Sequence, residues 1–316
     1  MDPRFREDDG VEKIIENRKI QEFAMFHGSM VALVTPMMDD GSIDKAAWRH
    51  LVDFHLENKT NALIVSGTTG ESPTLTDEEK NNLFRLTVDQ VKGRIPVIAG
   101  TGTNCTAKTI AATKAAMDVG VDACLLTVPY YNCPTQEGIF LHFQAIAKVA
   151  PLPLILYNQA KRTGCDMLPE TVARLAKFSN IVGVKEGLGE LSRLKDLLNL
   201  VQGEIDIYSG EDATACDLML QGAKGVISIT ANIAPTHMHA MCQAAISGDV
   251  AGAKQLDKKL QLLHKVVGVE VNPIPVKWIL QQLGLIKSGI RLPLTPLAKR
   301  HEETVLSAIR EFGLVV

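Results

Sequence analysis

The chain has 316 residues, of which 46% are hydrophobic and 22% charged, enough apolar surface for a large core, and this excludes general disorder. A formal net charge of −3 argues against a nucleic-acid or anionic-membrane surface as its main role, and 5% aromatic residues leave little for a base-stacking platform. No apolar run approaches the ~20 residues that a bilayer-spanning helix needs.

The six cysteines (Cys105, Cys124, Cys133, Cys165, Cys216 and Cys242) are scattered without CxxC spacing. That pattern predicts reduced thiols in a cytoplasmic protein rather than a disulfide framework or a zinc site.

Residues 1–24 are dense in charge and lack the apolar stretch of a secretory signal. They read as an added or upstream-start extension, with the natural protein beginning near Met25, or as a helical arm from Val11 to Phe23. Beyond Gly28 short apolar, β-branched runs recur at Met30–Val34, Ala62–Val65, Pro96–Ala99, Ala123–Val128, Leu152–Leu156, Ile181–Val184, Ile205–Tyr208 and Val226–Ile229. Each is nearly continuous in hydrophobicity, as parallel strands covered on both faces should be.

Helix-length amphipathic stretches separate them. Ala47, Trp48, Leu51 and His55 share one face; Thr76 and Glu79 are spaced as a capping box, with Gly93 as the stop; Pro169 sits at a first helical turn. The rhythm predicts an α/β fold, a (β/α)8 TIM barrel with a C-terminal helical appendage: barrel over 25–234, helical region over 235–316. Leu256, Leu260 and Leu263 keep helical spacing there as core or subunit contact, and further helices fit Lys277–Leu283 and Leu297–Phe312.

In such a barrel, chemistry lies at the carboxyl ends of the strands. Lys185 follows the run Ile181-Val182-Gly183-Val184, which places its ammonium at the rim of an apolar barrel. Poor solvation there should lower its pKa and free an amine for attack on a ketone; a lysine that snorkels to water is the ordinary alternative. Thr68 and Thr69, flanked by Gly67 and Gly70, offer hydroxyls and turned backbone N–H groups to a carboxylate, or form a plain Gly-rich turn. Tyr157 at a strand end and Tyr131 in a loop are phenols able to donate protons, or structural tyrosines. Arg162 is a carboxylate fork or a surface ion-pair partner. His237 and His239 stand at i and i+2, on different faces of a helix, so no metal ligation is expected; Gly100-Thr101-Gly102 lacks the third glycine of a dinucleotide fingerprint.

Several separated motifs then combine: GSMVALVTPM (28–37), GTTGES (67–72), TVPYYN (127–132), Tyr157-Asn158 with Arg162-Thr163-Gly164, VGVKE (182–186), NPIPVKW (272–278) and RLPLTPL (291–297). From about Phe26 onward the chain resembles the 4-hydroxy-tetrahydrodipicolinate synthase (dihydrodipicolinate synthase) family. The resemblance implies condensation of pyruvate with L-aspartate 4-semialdehyde through a lysine Schiff base, in lysine and diaminopimelate biosynthesis, without metal or organic cofactor. It implies that Lys185 forms the Schiff base, that Tyr157 shuttles protons, and that Thr68 links Tyr157 to Tyr131, which reaches in from a neighbouring subunit. Thr69 would grip the pyruvate carboxylate and Arg162 that of the semialdehyde, while Gly210 and Ile227 line the pocket through backbone atoms. A homotetramer built as a dimer of dimers is implied too.

Two departures stand out. Gln159-Ala160 replaces the usual small apolar residue and proline, and Gly187 stands where a small non-glycine residue is commoner. Ser72, Asn104 and Tyr130 match the lysine effector site of inhibited members, but Lys80 stands where a histidine is common and Lys108 where a glutamate is, so weak or absent lysine inhibition is expected. The rival readings are an N-acetylneuraminate or 2-keto-3-deoxy sugar acid aldolase, disfavoured by Arg162, and a non-catalytic binding barrel, disfavoured by the intact Lys185, Tyr157 and Tyr131.

Overall fold

Each of the eight apolar runs forms a strand, and each strand pairs in parallel with its neighbour in sequence until the last meets the first. The structure, a computed structural model, describes residues 26–315; the leader and the start near Met25 lie outside the described residues. The strands are β1 (Gly28–Ala32), β2 (Ala62–Val65), β3 (Val97–Gly100), β4 (Ala123–Thr127), β5 (Leu154–Asn158), β6 (Ile181–Glu186), β7 (Asp206–Ser209) and β8 (Gly225–Ser228), closed in the order β1 to β8.

Alternation along the strands explains why the runs read as nearly unbroken hydrophobicity. Met30, Ala32, Ala62, Ile64, Ile98, Ala123, Leu125, Ile155, Tyr157, Tyr208 and Ile227 form one buried cluster filling the barrel lumen. Their neighbours Val31, Leu63, Val65, Val97, Cys124, Leu126, Leu156, Val184 and Val226 belong to a second cluster between barrel and helices. Both faces are covered, so the runs are nearly continuous, with Asp206 in β7 and Ser228 in β8 as polar exceptions.

The helices are α1 (Lys45–Glu57), α2 (Asp77–Val91), α3 (Thr106–Val119), α4 (Gln136–Ala147), α5 (Ala160–Thr163), α6 (Pro169–Leu175), α7 (Leu191–Val201), α8 (Ala215–Leu220), α9 (Pro235–Ile246), α10 (Val250–Val266), α11 (Ile274–Gln282) and α12 (Lys299–Phe312). The α1 stripe packs through Trp48, Leu51, Val52 and His55, with Trp48 Nε1 donating to Thr87 Oγ1 of α2 at 3.2 Å. Both halves of the Thr76–Glu79 capping box form at the start of α2; Lys92, in the left-handed region at φ 51°, ends that helix one residue before Gly93. Pro169 opens α6. Leu260 and Leu263 are fully buried on α10, and α12 packs against it.

The ends of several elements differ from the sequence reading. β1 starts and stops two residues before the apolar run does: Leu33 N–H makes a last bond to Ile64 O of β2 at 3.0 Å, and Val34 N–H turns to Asn232 Oδ1 at 3.1 Å. β6, by contrast, ends at Lys185 and Glu186 as the sequence reading has it, and these two pair with Tyr157 and Asn158 of β5. Helix α9, assigned to the appendage from sequence, packs on β1 and supplies the barrel's eighth helix. Helices α10 to α12 follow it. Among the described residues no helix is long and apolar enough to cross a membrane, and all six cysteines are free thiols.

Candidate active site

At the carboxyl ends of the strands a cavity of about 280 Å³ opens, lined among others by Thr68, Thr69, Tyr157, Arg162, Lys185 and Gly210. Lys185 is held by strand pairing on both sides, to Tyr157 of β5 and to Tyr208 of β7. Its side chain is 6% exposed, and Nζ sits 4.2 Å from the centroid of the Tyr157 ring. Gly210 keeps the lysine's path open, since a Cβ there would approach Lys185 Cε to 2.9 Å.

Behind the lysine, Glu186 points the opposite way, as strand alternation requires. Its carboxylate accepts from Asn158 Nδ2 at 3.1 Å, Leu188 N–H at 3.0 Å and Arg193 Nε at 3.1 Å. Burial raises the Glu186 pKa, opposed chiefly by the charge of Arg193. Arg193 also pairs with Asp166, and Asn158 Nδ2 donates to that same carboxylate at 2.7 Å. This outward network clamps the ends of β5 and β6 together, so Tyr157 and Lys185 keep their mutual distance.

The loop after β2 brings Thr69 to the cavity wall, 2% exposed, with Asn272 Nδ2 donating to its Oγ1 at 2.9 Å. Glu71 ends that loop at φ 57°, ion-paired to Lys277 and accepting the Arg291 N–H at 3.1 Å. Arg291 also grips Glu79, at 2.5 and 2.8 Å, and its guanidinium holds that carboxyl down at about 2. The NPIPVKW and RLPLTPL segments are thus the parts of the C-terminal region that fix the loop carrying Thr68 and Thr69.

Of the residues singled out from sequence, Lys185, Tyr157, Thr68, Thr69, Arg162 and Gly210 come together around the cavity. Arg162 sits exposed on the short α5, which Gly164 ends at φ 78°, with Lys161 beside it on the cavity wall. Ile227 is packed in the lumen cluster, which contributes Ala32, Ile64, Leu125 and Tyr157 to the cavity wall, and Ile229, two residues on, lines the cavity. Tyr131 is 91% exposed at φ 73°, away from the cavity of its own chain, its N–H donating to Thr163 O at 3.2 Å. His237 packs edge-on against Phe312, while His239 Nδ1 lies 3.1 Å from Asn61 Oδ1. Sequence reasoning missed Gln159, Asp212, His264, Glu270 and Asn272, all on the cavity wall. Of these, Gln159 stood in the Gln159-Ala160 departure and Asn272 opened the NPIPVKW motif, while nothing in the sequence marked the others.

A parallel (β/α)8 barrel with a buried lysine stacked on a tyrosine ring, and two cations at the rim, defines a class: enzymes able to attach a keto acid through an imine. Residues 25–312 match the Dihydrodipicolinate synthetase family, and the chain belongs to it. It is 54% identical to the 4-hydroxy-tetrahydrodipicolinate synthase of Thioalkalivibrio sulfidiphilus over 292 residues, covering 92% of this chain and 99% of that protein. The enzyme of the same name from Pseudomonas aeruginosa is 54% identical over 291 residues, covering 92% of this chain and all of its own. Among solved structures, the chloride-inhibited dihydrodipicolinate synthase of Acinetobacter baumannii complexed with pyruvate superposes with a TM-score of 0.91 at 48% identity. That match covers 92% of this chain and 100% of the other.

Proposed function

We infer that the protein is a Schiff-base-forming lyase that condenses pyruvate with L-aspartate 4-semialdehyde to 4-hydroxy-tetrahydrodipicolinate, in lysine and diaminopimelate biosynthesis. The observation that carries this reading is Lys185 Nζ seated 4.2 Å over the Tyr157 ring inside the cavity. A nearly buried amine beside a phenol is what imine formation and proton transfer at one carbon require.

The Lys185 amine adds to the ketone of pyruvate, and loss of water leaves an imine. Thr69 and the turned backbone around it hold the pyruvate carboxylate. The imine draws electrons from the adjacent methyl, which loses a proton to become an enamine carbon nucleophile. That carbon attacks the aldehyde of the second substrate, whose carboxylate meets the guanidinium of Arg162. The substrate's own amine then attacks the imine carbon, closes the ring and releases Lys185. Tyr157 carries the protons of these steps. Thr68 connects it to Tyr131 of a neighbouring subunit, a role supported by the exposure of Tyr131 outside its own chain's cavity. Gly210 and the β8 segment around Ile227 shape the pocket, and the assembly is a homotetramer of paired dimers.

Borohydride reduction in the presence of pyruvate tests the reading. The intact mass should rise by one reduced pyruvate adduct in the wild type and not in Lys185→Ala. Turnover with L-aspartate 4-semialdehyde, and none with N-acetylmannosamine, should accompany it. An unmodified wild-type mass would overturn the assignment.

A further inference from the structure

Strand β5 places Tyr157 inward, Asn158 outward and, one step past its end, Gln159 inward again. The backbone of Gln159 is fixed: its carbonyl accepts from Arg162 N–H at 2.9 Å and Thr163 N–H at 3.0 Å, and its side chain makes no capping bond to α5. Gln159 lines the cavity, as Tyr157 and Arg162 do, and its amide Oε1 is buried with no hydrogen-bond partner among the described residues. An acceptor left unmatched in a folded interior demands a reason.

Gly187, two residues beyond Lys185, supplies the space. A Cβ at 187 would lie 2.6 Å from Gln159 Nε2 and 2.9 Å from both Gln159 Cδ and Asn158 O. Backbone crowding contributes to this need for glycine, but the tightest contact is with the glutamine amide. The two departures noted in the sequence are therefore one feature: the amide occupies the volume that a side chain at 187 would take.

We propose that Gln159 is a specificity-determining residue whose amide, seated over Gly187, receives the amino group of the aldehyde substrate while Arg162 holds its carboxylate. The proposal rests on the condensation described above. That substrate carries a carboxylate and an amino group on one carbon, and a wall with a guanidinium and a free acceptor a few residues apart matches both. A neutral acceptor suits the chemistry better than a carboxylate would. The amine must lose its proton before it attacks the imine, and a negative charge beside it would oppose that loss.

The test separates amine recognition from packing by using succinate semialdehyde, which lacks the amino group. In Gln159→Val the KM for L-aspartate 4-semialdehyde should rise at least about tenfold, the loss of one hydrogen bond to a charged group. Inhibition by succinate semialdehyde, the KM for pyruvate and borohydride trapping should stay within about twofold of wild type. Gly187→Ala should give the same KM defect by displacing the amide, and combining it with Gln159→Val should add little. Gln159→Glu, nearly isosteric, should lower kcat and move the acidic limb of its pH profile to higher pH. Parallel weakening of both aldehydes, or an unchanged KM in Gln159→Val, would overturn the proposal. Pyruvate trapping, recorded before any aldehyde is added, reports separately on the Lys185 reading.

Discussion

Lys277 of α11 and Glu71 of the loop after β2, 206 residues apart, form an ion pair from which water is almost wholly excluded. Burial pushes the Lys277 ammonium down, and the Glu71 carboxylate beside it pushes the other way. The pair is the point where the C-terminal region holds the loop that presents Thr69 to the cavity, with the Asn272–Thr69 hydrogen bond alongside.

Removing one partner leaves the other charge stranded in the interior. Lys277→Met or Glu71→Gln should therefore destabilise the protein by about 3–5 kcal/mol in urea unfolding. Glu71→Leu combined with Lys277→Met should recover much of that loss, since an apolar pair carries no desolvation penalty. Catalysis should not recover in step, because the Arg291 N–H loses its acceptor and the loop its anchor. Equal effects of single and double variants would argue that the pair is not a buried one.

Tyr157 faces Lys185 across one step of the β5–β6 ladder, and its ring supports the amine. Tyr157→Phe keeps the ring and the packing while deleting the hydroxyl. Turnover should fall about 10²- to 10⁴-fold, the usual contribution of a positioned acid–base group, with the unfolding midpoint little changed. A kcat within severalfold of wild type would remove the phenol from the proton path.

Two buried histidines set an acid limit on stability. His55 is bonded through Nδ1 to Thr60 Oγ1, at 2.9 Å, and burial lowers its pKa from 6.5 to about 3. His142 is bonded to Thr106 Oγ1, also at 2.9 Å, and burial lowers it to about 4. The folded state keeps both neutral, whereas the unfolded chain protonates them below 6.5. Their contribution is thus fully present above pH 6.5 and is lost as the pH falls toward 3–4. For His55 the loss amounts to ~2 kcal/mol between pH 7 and 5. Urea midpoints across that range should fall for the wild type and fall less steeply for His55→Asn; identical slopes would contradict the assignment.

How far the sequence reaches can be judged from particular residues. The barrel is legible because lumen and outer faces are both covered, so most strands show as short, nearly continuous apolar runs, with Asp206 in β7 the plainest break. Lys185 is legible because VGV leads straight into it. Strand ends are less so: Val34 is as apolar as the residues before it, and its contact with Asn232 shows where the ladder stops. Nothing local connects Glu71 with Lys277 or Thr69 with Asn272, because a pair distant along the chain leaves no periodicity behind. Gln159 and Gly187 were visible as two separate oddities. Their shared volume exists only once β5 and β6 lie side by side.

The resemblance places Lys80 and Lys108 at positions of the lysine effector site of inhibited family members. Lys80 is partly buried on the first turn of α2, and burial lowers its pKa while Asp77 opposes. Lys108 is exposed on the first turn of α3, and neither ammonium has an ion-pair partner among the described residues. An effector carrying ammonium groups would meet like charge at both positions, at a cost comparable to the attraction that an acidic residue would have supplied. Steady-state rates at saturating pyruvate should therefore fall little or not at all through millimolar L-lysine. Replacing Lys108 by Glu together with Lys80 by His should make the rate fall with added L-lysine, and that sensitivity should weaken as ionic strength rises. Inhibition of the wild type at sub-millimolar L-lysine would show that these two ammonium groups do not face the effector.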